Sequence, residues 1–176
     1  YYNITTGANY GGGDFYDFHA RFPANTEILP GEYLTVAMSG SDAYFEVYGI
    51  YPDFELWEDA VPDPELEDVP DMLEAMPGSI NGQGGLTNSG EIVILYYWDG
   101  TSDLVKDSDY VLWGDAAEAV DKTGVTVGSG TYLPDTPVGE QDFLGSHSSG
   151  FSFGRVDLRE GMEPSADGNG LYGHNE

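Results

Sequence analysis

The side chains able to do chemistry in this sequence are almost all carboxylates. Asp and Glu number 32 against 5 Lys and Arg, with 3 His and no Cys. Asp99, Asp103, Asp107 and Asp109 fall close together in one stretch and are the first candidates for oxygen ligands to Ca²⁺. Their spacing departs from the alternating ligand order of an EF-hand loop. Asp167 and Asn169 match the first two ligands of such a loop, but Leu171 stands where the next oxygen belongs. Together, Asp99, Asp103, Asp107, Asp109, Asp167 and Asn169 make Ca²⁺ the one cofactor the sequence suggests.

Acid–base and nucleophilic chemistry find less support. Glu55 with Glu58, or Asp157 with Glu160, are pairs of the kind a glycoside hydrolase uses as acid and base. In so acidic a chain some such pair always occurs, so the pairing carries no signal. His19 has no Ser, Cys or carboxylate motif to make it a catalytic base. Ser146-His147-Ser148-Ser149 sets hydroxyls beside an imidazole, but neighbouring loop residues do not define triad geometry. No Gly-x-Ser-x-Gly elbow accompanies them. Lack of cysteine removes disulfides, thiolate metal sites and cysteine nucleophiles together. The chain reads as non-enzymatic.

Charge sets the class of partner. A formal net charge of -27 repels phosphate backbones and anionic lipid, which argues against nucleic acid. High-salt surroundings, bound Ca²⁺ and plain solubility each account for such acidity, and a secreted protein in screening ionic surroundings fits best. No stretch approaches the length of a membrane span. The opening Tyr1-Tyr2-Asn3, with no initiator Met or signal peptide, reads as a mature or excised segment of a longer product.

The elements that must position these residues are mostly short strands. The 176 residues suit one domain, and 25 Gly and 10 Pro punctuate them every few positions. The dominant feature is Gly90 to Gly100, an apolar run of β-branched and aromatic residues with a turn signal at each end. It predicts a strand buried on both faces, or nearly so. Asp109 to Gly114 predicts its neighbour. Phe18, Ala20 and Phe22 predict one face of a strand, and Tyr33 to Ala37 another. Strand-like alternation recurs at Val125 and Val127, and at Phe151 and Phe153. Short helices are expected over 42–48 with Ser41 or Asp42 as cap, over 69–76 with Pro70 in the first turn, and over 115–122. Residues 53–77 form a carboxylate-rich excursion broken by proline. Arg155 and Arg159 are expected to hold carboxylates.

The order of these elements resembles a lamin-tail domain of the kind found in bacterial exported and surface proteins. The likeness rests on Phe22-Pro23, on Ile28 to Ala37, on Leu86 to Leu95, on Asp107 to Gly114, and on Gly150-Phe151-Ser152-Phe153-Gly154-Arg155. It implies an all-β fold, an immunoglobulin-like β-sandwich with short helices and a long acidic loop insert, as a single domain over 1–176. That family's opening strands would precede Tyr1, so the resemblance implies that they were cut away or that another chain fills their place. It carries no catalytic residues.

The function expected is an extracellular or cell-surface structural or adhesive module. It would associate with copies of itself or another surface protein through sheet edges or exposed aromatics. A Ca²⁺-dependent module adhering to matrix or carbohydrate is the alternative.

Overall fold

A computed structural model of the chain describes residues 18–56, 69–80, 85–134, 136–141 and 143–154. They fall into two compact units, one ending at Leu86 and one beginning at Thr87.

In the first unit the elements are strand β1 (Ala20–Arg21), strand β2 (Val36–Ala37), helix α1 (Ser41–Tyr48), strand β3 (Phe54–Glu55) and strand β4 (Leu73–Glu74). β1 pairs antiparallel with β4, and β2 pairs parallel with β3 across the α1 crossover. The core is Phe54, Leu56, Met72 and Ile80, with Phe18, Ala20, Phe22, Leu34, Val36 and Met38 packed against it. Phe18, Ala20 and Phe22, expected to share one face, all pack against this core.

Helix α1 forms where the sequence indicates and stops at Gly49, whose left-handed φ of 71° closes it with a bond from its N–H to Phe45 O. Its cap differs from the expectation. Gly40 precedes the helix, and no local side chain caps it. The carboxylate of Glu55 does so from the neighbouring strand, Oε2 accepting the buried Ser41 N–H at 2.7 Å. The helix expected over 69–76 is absent. Met72 N–H donates to Glu55 O and Glu55 N–H to Pro70 O, so pairing with β3 draws this segment out straight.

The second unit is built on strand β5 (Glu91–Tyr97) and strand β6 (Lys106–Trp113), paired antiparallel from Glu91 opposite Trp113 to Tyr97 opposite Lys106. Strands β7 (Thr126–Val127) and β8 (Gly130–Thr131) make a small hairpin. Tyr110 and Leu112 form the core, with Ile92, Ile94 and Ala119 against them. Gly114 ends β6 with φ 78°, and a Cβ there would lie 1.9 Å from Ser89 O, so only glycine fits.

An immunoglobulin-like sandwich does not describe these residues. The strands form four separate two-stranded sheets, and only β5 and β6 exceed two residues. Closely spaced Gly and Pro end each strand before a broad sheet can grow. β5 is also less buried than its sequence suggests, with Leu95 and Tyr97 exposed by 52 % and 62 %. The helix expected over 115–122 shortens to a 3₁₀ turn at Ala116–Glu118, capped by Asp115. Residues 151–154 form no strand; Phe153 instead packs edge-on to His147.

Candidate functional site

The β5–β6 ribbon carries the residues singled out for chemistry. A bulge between Leu95 and Tyr96 sets Leu95 opposite Asp109 and Tyr96 opposite Asp107, leaving Ser108 as the extra residue. The extra residue reverses the alternation, so Asp107 is buried with Tyr110 and Leu112 while Ser108 is exposed. Inside, Asp107 Oδ2 forms an ion pair with Lys122 Nζ, and both side chains are wholly removed from solvent. Lys122 Nζ also lies over the Tyr132 ring, 4.6 Å from its centroid. The Tyr132 hydroxyl accepts the buried Val105 N–H at 3.0 Å. Burial first, then the Tyr132 and Asp107 charges, hold the Tyr96 hydroxyl protonated well above the ordinary phenol range. This is a structural polar core: Asp107 meets an ammonium, which does the work a cation would do.

At the far end of the ribbon, Asp99 and Asp103 organise the turn. Asp99 Oδ1 accepts the backbone N–H groups of Thr101 and Ser102 at 2.8 and 2.7 Å, and its Oδ2 accepts the Ser102 hydroxyl. Those bonds, the Ser102 hydroxyl foremost, hold the Asp99 carboxyl well below the usual carboxylate range. Asp103 Oδ2 reaches the β7–β8 turn, accepting Ser129 N–H and Oγ–H at 2.8 Å each, which also lowers its pKa. Gly128 allows that approach, since a Cβ there would sit 2.5 Å from the Asp103 carboxyl carbon. Tyr97, Asp99, Asp103, Lys106 and Ser129 line an open cleft of about 550 Å³.

The remaining candidates lie apart. Asp109 is half-buried and accepts the N–H of Tyr110. Asp167 and Asn169 lie outside the described residues, as do Glu58, Asp157, Glu160, Arg155 and Arg159. Among the described residues no three His, Cys, Asp or Glu side chains converge as a metal site. Asp99, Asp103, Asp107 and Asp109 are thus not drawn into one ligand set. Glu55 caps α1. His19 is buried, with its backbone N–H and C=O bonded to Ser79. His147 packs beside Phe153 and Trp113.

The ribbon's main chain offers another kind of site. Among the described residues β5 pairs with β6 alone. Leu112 O accepts Leu144 N–H, so Leu112 turns its polar groups away from β5. By antiparallel alternation its opposite number Ile92, and then Ile94, point theirs outward along the far edge of β5. The exposed side chains of Leu95 and Tyr97 sit at the end of that edge.

Of two site residues the sequence did not single out, one had a faint signal. Lys122 is one of only five basic residues, and an isolated cation in so acidic a chain signals a buried partner. Tyr132 had none. Among the described residues no helix is long and apolar enough to cross a membrane. Compared with protein-family models, curated proteins and solved structures, the chain finds no match.

Proposed function

We propose that this chain is a non-enzymatic structural or adhesive module, working outside the cell or at its surface, that associates by strand addition to β5. The observation that carries it is the outward-facing edge of a seven-residue strand that has one partner among the described residues. Exposed Leu95 and Tyr97 add apolar area to such a contact. The non-enzymatic part is supported by what the acidic groups already do: Asp99 and Asp103 tie turns, Asp107 meets Lys122, and Glu55 caps a helix. The short motifs resembling lamin-tail domains favour the same use as a binding module.

The occupant of the edge is a second copy of the chain. At a net charge of -27 two copies repel strongly at low ionic strength. The Debye length falls from ~30 Å at 0.01 M to ~3 Å at 1 M salt, so pairing is expected only when salt is high. Sedimentation velocity across that salt range should show monomers giving way to dimers or larger species. Leu95→Lys with Tyr97→Lys should keep the chain monomeric at high salt. A wild-type chain that stays monomeric throughout would rule the proposal out.

A further inference from the structure

The unit that ends at Leu86 carries a surface of different character. Along α1 and the turn after it, Phe45, Val47, Tyr48, Ile50 and Tyr51 are all exposed, Val47 by 72 % and Tyr48 by 64 %. The rings are already arranged. Phe45 stacks on Tyr51 with centroids 4.4 Å apart and planes 18° from parallel, and Tyr44 leans on Tyr48 at 4.5 Å. Soluble proteins seldom leave a contiguous apolar patch uncovered unless it meets a partner. Rings held in place before binding lose less entropy when they are covered.

Charge selects the partner. Between Arg21 and Lys106 the sequence contains no Lys or Arg. α1 itself carries Asp42 and Glu46, and no basic residue stands in its last turn to offset the negative end of its dipole. The faces of Phe and Tyr rings are themselves negative and attract guanidinium and ammonium groups. Without high salt to screen it, a second copy of this chain, at a net charge of -27, is repelled from such a surface, whereas a basic segment is attracted.

We propose that α1 and the turn to Tyr51 dock a basic, partly apolar segment of another protein, its Arg or Lys side chains stacking on the paired rings. Aliphatic side chains of that segment would cover Val47 and Ile50. The surface belongs to the unit that ends at Leu86, the β5 edge to the unit that begins at Thr87, and the proposal does not depend on strand addition there.

Calorimetric titration of the whole chain with a short synthetic peptide alternating Arg and Leu tests this. The titration is run near 0.15 M salt, where a Debye length of ~8 Å suppresses diffuse attraction. Saturable binding is expected, weakened roughly tenfold or more by Phe45→Ser combined with Tyr51→Ser. A peptide alternating Glu and Leu should not bind. Should the double variant lose helix by circular dichroism, Tyr48→Ser decides, since that side chain is mostly exposed and its loss should still weaken binding severalfold. Equal affinity for wild type and Tyr48→Ser, or binding of the Glu–Leu peptide, would overturn the proposal. Leu95→Lys with Tyr97→Lys should bind the Arg–Leu peptide as wild type does, which separates this outcome from the fate of the β5 edge.

Discussion

Glu55 Oε2 accepts the backbone N–H of Ser41 at 2.7 Å, so a carboxylate from a strand caps a helix that has no side-chain cap of its own. Glu55 is 1 % exposed, and its strand is held on both sides, by β2 and by the bridge to Asp71. The carboxyl oxygen therefore lies against the positive end of the α1 dipole, away from water, where the bond counts most.

Removing that cap should be costly. Glu55→Ala leaves the Ser41 N–H buried without its acceptor, and a loss of about 1–3 kcal/mol is expected. Glu55→Gln keeps an acceptor oxygen and should recover part of it. Urea unfolding followed by circular dichroism measures both; equal stability of Glu55→Ala and wild type would show that the cap contributes nothing.

Lys122 and Asp107 should behave as one unit. Lys122→Ala leaves the Asp107 charge in a site with no solvent access, at an expected cost of about 3–5 kcal/mol. Lys122→Met combined with Asp107→Leu removes both charges and should recover most of the loss. A double variant as unstable as Lys122→Ala would mean that packing, and not charge, holds the site.

The turn aspartates give the chain an acid-sensitive side. Ser102 and Thr101 lower the Asp99 pKa, and Ser129 lowers that of Asp103. A lowered folded-state pKa adds stability that is complete above the ordinary carboxylate value of about 3.9 and fades as pH falls through the lowered one. Melting temperatures should therefore fall below about pH 4, and less steeply in Asp99→Asn and Asp103→Asn. The same variants should melt earlier than wild type at neutral pH whether or not Ca²⁺ is present. A deficit that appears only with Ca²⁺ would instead make these groups cation ligands.

Gly114 is the tightest point of the second unit. Gly114→Ala drives a Cβ into the Ser89 carbonyl at a left-handed φ, so the backbone must move. The variant should lose at least about 1 kcal/mol, with the 89–90 to 114–115 contact loosened. Amide exchange at Gly114, whose N–H donates to Leu144 O at 2.8 Å, should report it directly.

Local pattern alone marked the two long strands, the shared face of Phe18, Ala20 and Phe22, the α1 segment and its stop at Gly49. Each depends on residues close in sequence: β-branched and aromatic runs, period-two alternation, and a glycine able to take positive φ. The acidity of the chain is likewise a property of composition. Tertiary structure decided the rest. Bridging to β3 at Asp71 and pairing with β1 at Leu73–Glu74 turned residues 71–74 from an expected helix into extended chain. One extra residue at the Leu95–Tyr96 bulge carried Asp107 inward to meet Lys122, and so changed a candidate Ca²⁺ ligand into half of an internal ion pair. The sandwich implied by motif order failed for a related reason. Motifs fix where strands begin and end, whereas a broad sheet needs many long edges to meet, and here only β5 and β6 are long.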